Sequence, residues 1–103
     1  MAYAVYITAE FARIFEKFTD SDKEIMNKIF LQLKENPYVG DPIRYRLFRE
    51  KRIREKRLYY LVYDDLSAVL IIAFGGKKEQ QETINKTLEH LPEFRKYVEY
   101  LLD

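Results

Sequence analysis

The spacing of apolar positions along this chain changes several times, and each change marks an element. Residues 2–7, AYAVYI, alternate and are rich in aromatic and β-branched types, which predicts a strand. Thr8 can cap a helix over Ala9–Phe18, whose apolar residues Phe11, Ile14, Phe15 and Phe18 recur at i, i+3, i+4 and i+7. Ser21 and Glu24 read as a capping box opening a second helix to about Glu35. Its buried stripe is Ile25, Met26, Ile29, Phe30 and Leu33. Asn36-Pro37 ends that helix, because the residue before a proline avoids the α region. Tyr38–Pro42 reads as a loop. Arg44–Phe48 alternates and is a candidate strand, and Arg57–Tyr63 is a clear one. The turn between them falls somewhere in 49–56, with no Gly, Asn or Pro to mark it.

Asp64-Asp65 predicts a hairpin turn. Ala68–Phe74 is apolar on both faces, as a central strand covered on both sides should be. Gly75-Gly76 ends it. Lys77–His90 predicts a weakly amphipathic helix, with Ile84, Leu88 and Leu91 at helical spacing. Pro92 suits the first turn of a last helix. The stripe of that helix, Phe94, Tyr97, Val98, Leu101 and Leu102, either packs on its own domain or docks a partner or a second copy.

The predicted order is β-α-α-β-β-β-α-α, an α+β fold with an N-terminal helical hairpin on one face of a small, largely antiparallel sheet. The other face would carry the basic residues of 44–57, unless the last helix covers it. With 103 residues the chain has room for one domain, 1–103, in which the helix at about 93–102 reads as a C-terminal appendage. Absence of cysteine excludes a thiol nucleophile and a Cys zinc site, and fits a reducing cytoplasm. No apolar run is long enough to span a bilayer, and MAYAVYITAEF has no secretory pattern, so a cytoplasmic protein without membrane partners is expected. No phosphate-binding Gly loop, metal-ligand spacing or nucleophile elbow is present, so neither cofactor nor metal is expected.

Net charge is +1, yet the charges are segregated. Residues 1–40 carry net −1, residues 41–63 net +5, and residues 64–103 net −3. Between Arg44 and Arg57, 14 residues include 8 basic and 2 acidic ones. The basic ones are Arg44, Arg46, Arg49, Lys51, Arg52, Arg54, Lys56 and Arg57. The tract repeats REKR at 49–52 and 54–57, and a period of 5 in continuous extended chain would turn the two copies to opposite faces. Two readings fit it: a solvated edge strand protected against pairing, or the footprint of a phosphate-backbone binder.

Three stretches together resemble a known family. They are the helical hairpin ending in Asn36-Pro37 and followed by Gly40-Asp41-Pro42, the strand RLYYLVY at 57–63 with its acidic turn, and Val69–Phe74 with Gly75-Gly76-Lys77-Lys78. Their order and spacing resemble the RelE/ParE superfamily of toxins from toxin–antitoxin pairs, in a form closest to its archaeal members. The resemblance implies one of two activities. RelE-like members cleave mRNA in the ribosomal A site without metal, by attack of the ribose 2′-OH on the neighbouring phosphate. ParE-like members inhibit gyrase and cleave nothing. Both are held in check by a cognate antitoxin. A homodimer is a further partner to consider.

Cleavage of that kind needs a base for the 2′-OH proton, cations for the phosphorane and an acid for the leaving oxygen. By resemblance, Arg57 is the first candidate for the phosphate clamp, with Arg52 and Arg54 as a basic pair on one strand face and Lys77 and Lys78 after the glycines. Arg44, Arg46, Arg49, Lys51, Lys56 and Tyr59 are candidate RNA contacts. Tyr59 and Tyr63 have a second reading as core residues of the strand. Many RelE-like toxins have a Tyr or His soon after the basic pair, whereas GGKKEQQETI has neither. Glu79, Glu82 and a lysine with depressed pKa remain candidate bases, and His90 reads as a surface residue. The missing Tyr or His keeps a binding protein without catalysis, of ParE type or an inactive toxin relative, as the alternative.

Overall fold

The computed structural model describes residues 2–103. Strand β1 (Ala4–Ile7) leads into helices α1 (Ala9–Glu16) and α2 (Asp20–Glu35). After a 3-10 turn at Pro37–Val39 come β2 (Asp41–Ile43), β3 (Tyr45–Ile53), β4 (Lys56–Tyr63) and β5 (Ala68–Gly76). Helices α3 (Gln80–Glu89) and α4 (Leu91–Leu102) complete the chain. The five strands form one sheet in the order β1-β5-β4-β3-β2, with β1 parallel to β5 and every other pair antiparallel. This is the expected α+β arrangement with one added strand: Asp41–Ile43, which takes in the end of the expected Tyr38–Pro42 loop, pairs with β3.

Thr8 caps α1 as expected, its Oγ1 accepting from the Phe11 N–H at 3.1 Å. The start of α2 departs from the sequence reading. Thr19, not Ser21, is the cap, and its Oγ1 accepts from the Asp22 N–H. Phe18 lies just outside α1 and packs on Phe15 and Phe74, so the chain has to reverse at once. Thr19 is the first cap-competent residue after it.

Both sheet faces are covered. On the first, Phe11, Met26, Ile29 and Leu33 of α1 and α2 pack on Leu58, Tyr60 and Val62 of β4 and Val69 and Ile71 of β5. On the second, Val98 of α4 is fully buried against Phe48, Tyr59, Leu61, Leu70 and Ile72, with Leu88, Leu91 and Phe94 around it. The last helices therefore cover the face on which the basic tract was expected to lie open. Of the C-terminal stripe, Phe94, Val98 and Leu101 turn inward, while Tyr97 and Leu102 are exposed. Arg95 fastens α4 to the end of β4, with its guanidinium 2.6 Å from Asp65 and its Nε 3.0 Å from Glu99.

The turn between β3 and β4 is Arg54-Glu55, with Ile53 paired to Lys56. Arg54 has a φ of 58°, in the left-handed region that costs a non-glycine residue about 1–2 kcal/mol. Arg54→Gly is therefore expected to raise the unfolding free energy by about 1 kcal/mol, after the entropic cost of glycine is deducted. A urea titration of both proteins checks this.

Candidate nucleic-acid interface

The hairpin decides where each basic residue points. Side chains alternate along a strand, and directly paired residues share a face. Arg52 pairs with Arg57, and Glu50 pairs with Tyr59, on the face covered by α4. Lys51 pairs with Leu58 and Ile53 with Lys56, on the face covered by α1 and α2. The REKR copies thus do not face opposite sides. A two-residue turn reverses the chain between them, so Arg52 and Arg57 become neighbours, and Lys51 and Lys56 share the other face. Arg52 and Arg54 do not form a strand pair either, because Arg54 sits in the turn and its carbonyl accepts from Arg52 Nε at 3.2 Å.

Two like charges directly opposite on a sheet repel. Glu50 offsets this, with its Oε2 3.7 Å from Arg57 Nε. The same oxygen accepts from Gln80 Nε2 at 3.1 Å, which ties the first residue of α3 to the hairpin. The Arg57 and Glu50 side chains are 13% and 21% exposed, so water screens the pair only partly. Beside them Arg57 pairs with Gly75 of β5, where an added Cβ would meet nothing within 4 Å. The space over Gly75, next to Arg57, is open. Lys77 and Lys78 follow directly from Gly76 and are exposed. Arg52, Arg57, Lys77 and Lys78 therefore collect at one end of the sheet, with Glu50 and Glu79 among them.

The remaining candidates lie elsewhere. Arg44 forms the bend between β2 and β3, with a φ of 62°. Arg46 lies about 20 Å from Arg52 along β3, and its guanidinium is 3.0 Å from Asp64 and stacked over the Tyr38 ring. Arg49 is only 8% exposed and is a structural clamp, donating to the carbonyls of Gly40 at 2.8 Å and Arg46 at 2.9 Å. Tyr59 is 1% exposed and packs against Phe48, so its ring offers no face to a base. Its hydroxyl is buried without a hydrogen-bond partner among the described residues. Burial first, and Glu50 second, hold its pKa above the usual phenol value. Tyr63 is also buried, and burial pushes its hydroxyl up to about 12.

The contact of Glu50 with Arg57 is not apparent in the sequence. There Glu50 is one of two acidic residues in a basic tract, and only cross-strand register brings it against Arg57. The chain's one histidine lies at the far end of α3 from this cluster. His90 lies exposed between α3 and α4, with its Nδ1 3.7 Å from Glu93. Among the described residues, no group of three or more His, Cys, Asp or Glu side chains could hold a metal ion. No described helix is long and apolar enough to cross a membrane.

Asp64 anchors the opposite end of β3, accepting from the hydroxyls of Tyr38 and Tyr3 and from Arg46. The Tyr38 bond, then the Tyr3 bond, hold its carboxyl below the usual carboxylate range. A depressed folded-state pKa gives stability that is present above the unfolded value of 3.8 and lost as pH falls through the folded value. The urea midpoint is thus expected to fall below about pH 4, and to fall less steeply there in Asp64→Asn.

The free form of a doubly substituted RelE toxin from E. coli superposes with a TM-score of 0.69 at 19% identity, covering 84% of this chain and 98% of that one. This chain has the RelE toxin fold. The same E. coli toxin bound to a peptide of its antitoxin RelB gives 0.66 at 20% identity, covering 81% of this chain and 95% of that one. The RelBE2 toxin–antitoxin complex of Mycobacterium tuberculosis gives 0.64 at 23% identity, covering 75% and 100%. No family model matches the sequence, and neither does any curated protein. The RelE fold here thus rests on topology and packing, with sequence identity too low to carry an activity.

Proposed function

We propose that this protein is the toxin of a toxin–antitoxin pair, an endoribonuclease that cleaves mRNA on the ribosome by metal-independent 2′-OH attack and is neutralised by an antitoxin. The observation that carries the reading is the cluster of Arg52, Arg57, Lys77 and Lys78 around the open space over Gly75. Four cations at one edge of a small domain suit an RNA phosphate, and the planar fork of Arg57 matches two of its oxygens. The RelE fold supports a toxin role, and two of the similar structures contain an antitoxin.

Each residue has a role in this scheme. Arg57 and Arg52 bind the scissile phosphate and take up the charge that grows on it in the transition state. Glu50, paired with Arg57, is the base nearest that phosphate and accepts the 2′-OH proton. Lys77 or Lys78 donates a proton to the leaving 5′ oxygen. Tyr59 has no part in the chemistry, because its ring and hydroxyl are buried beneath the cluster. Mapping mRNA 5′ ends after expression tests the reading. New ends inside codons at the ribosomal A site are expected, and unchanged ends would refute it.

One observation favours a second reading, gyrase inhibition without cleavage: the tyrosine beside the cluster is buried, and the histidine is remote. A supercoiling assay with purified gyrase separates the two. The proposed nuclease leaves gyrase untouched.

A further inference from the structure

On the α1–α2 side of the β3–β4 turn lies a second feature that the phosphate cluster does not use. It is a crevice of about 420 Å³ between the start of α2 and the hairpin tip, within the span of about 300–1,000 Å³ usual for small-ligand sites. Phe18, Met26, Ile53 and Phe74 form its apolar floor. Phe18 and Phe74 meet edge to face, with ring centroids 5.4 Å apart. Lys17, Arg54 and Lys56 stand at its rim together with Asp22 and Glu55. The Lys56 ammonium is 5.7 Å from the centre of the Phe74 ring.

We infer that this crevice is a subsite for one unstacked nucleobase of single-stranded RNA. Three features argue for a base over an apolar side chain of a protein partner. First, the floor has an aromatic pair, and stacking on aromatic rings is how unpaired bases are held. Second, the rim carries both signs. Lysine and arginine donate to ring nitrogens and carbonyls of a base, while Asp22 and Glu55 accept from exocyclic amines. An acidic peptide would meet those two carboxylates as repulsion. Third, the crevice lies across the hairpin tip from the phosphate cluster. Lys56 and Arg57 are consecutive on β4 and point to opposite faces. A strand crossing the hairpin tip thus meets a phosphate site at Arg57 and an aromatic site behind Lys56. Arg54, held in a left-handed conformation at the turn, stands between the two.

This inference rests on the RNA-binding part of the proposed function, not on cleavage. The test is fluorescence anisotropy of the full chain with a short single-stranded RNA, and with the same RNA made abasic at one position at a time. Removing the base that enters the crevice is expected to weaken binding by about tenfold at one position. Phe74→Leu, which keeps an apolar floor, should weaken intact RNA by a similar factor and leave the abasic RNA unchanged. Ile25 also lines the crevice, and Ile25→Trp, which fills it, should do the same. Equal binding of intact and abasic RNA by the wild type overturns the inference without relying on any variant, and leaves the crevice to a protein side chain. Undetectable binding of either RNA also overturns it. Ribosome-dependent cleavage is read separately. Base-independent binding with cleavage intact refutes the subsite alone, and base-dependent binding without cleavage refutes the nuclease alone.

Discussion

Arg57→Ala is expected to lower mRNA cleavage by about 10²–10³-fold, the usual loss when one preorganised donor to a transition-state oxyanion is removed. Arg57 is the cation best placed for this role. It is mostly buried, oriented by Glu50 and paired with Gly75, over which the space is open. Arg57→Lys keeps the charge but loses the planar fork, so its loss should be intermediate. Glu50→Gln keeps the shape and removes the base. If Glu50 and Arg57 act as a unit, the double variant should be little worse than Arg57→Ala alone. Far-ultraviolet circular dichroism, run in parallel, separates lost chemistry from lost fold. Wild-type cleavage by Arg57→Ala would mean that the phosphate sits elsewhere, with the Arg46 end of β3 the next place to look.

Gly40→Ala is expected to be the most damaging single methyl group in the protein. A Cβ there would lie 2.5 Å from the Glu50 carbonyl oxygen and 2.5 Å from the Tyr60 hydroxyl, with no flexible side-chain end to yield on the backbone side. The same small region carries four backbone contacts. The Gly40 N–H donates to Tyr60 Oη at 3.1 Å, and the Tyr60 hydroxyl donates to the Pro37 carbonyl at 2.7 Å. Arg49 donates to the Gly40 carbonyl and, further along, to that of Arg46. Relieving the clash pushes β3 away at Glu50 or breaks the Tyr60 bonds and leaves buried polar groups unpaired. Overpacking of this kind costs about 3 kcal/mol, which in a domain of this size lowers the melting temperature by about 10–20 °C. Because Glu50 sits at the strained point, cleavage should fall in the surviving folded fraction as well. A thermal melt checks the first effect, and an unchanged midpoint would contradict the packing described at Gly40.

Much of the fold was legible because its signals are local. The helical stripes of α1 and α2, the alternation of β4 and the continuous apolar run of β5 each report burial directly. The missed features depend on contacts distant in sequence. The Arg54-Glu55 turn lacks a glycine because Arg54 accepts a strained φ. β2 is three residues long, contains Pro42, and owes its place in the sheet to pairing with the distant β3. Thr19 and Ser21 can both cap, and the packing of Phe18 on Phe74 selects the earlier one. The site divides in the same way. Arg57 is a candidate from the sequence because its strand motif resembles the family's. The separation of Arg49 and Arg46 from Arg52 and Arg57 was hidden, because a linear tract gives no hint that one guanidinium is buried against a carbonyl. Glu50 was invisible until the hairpin set it across from Tyr59 and beside Arg57.

On the proposed function, the Arg57 cluster cleaves RNA by 2′-OH attack. The most direct test of that function uses purified ribosomes stalled with a defined codon in the A site, end-labelled mRNA, and the wild-type chain beside Arg57→Ala. Cleavage within that codon by the wild type only is expected, giving a 2′,3′-cyclic phosphate on one fragment and a free 5′-OH on the other. Intact mRNA with the wild type, or fragments bearing a 5′-phosphate, would contradict it.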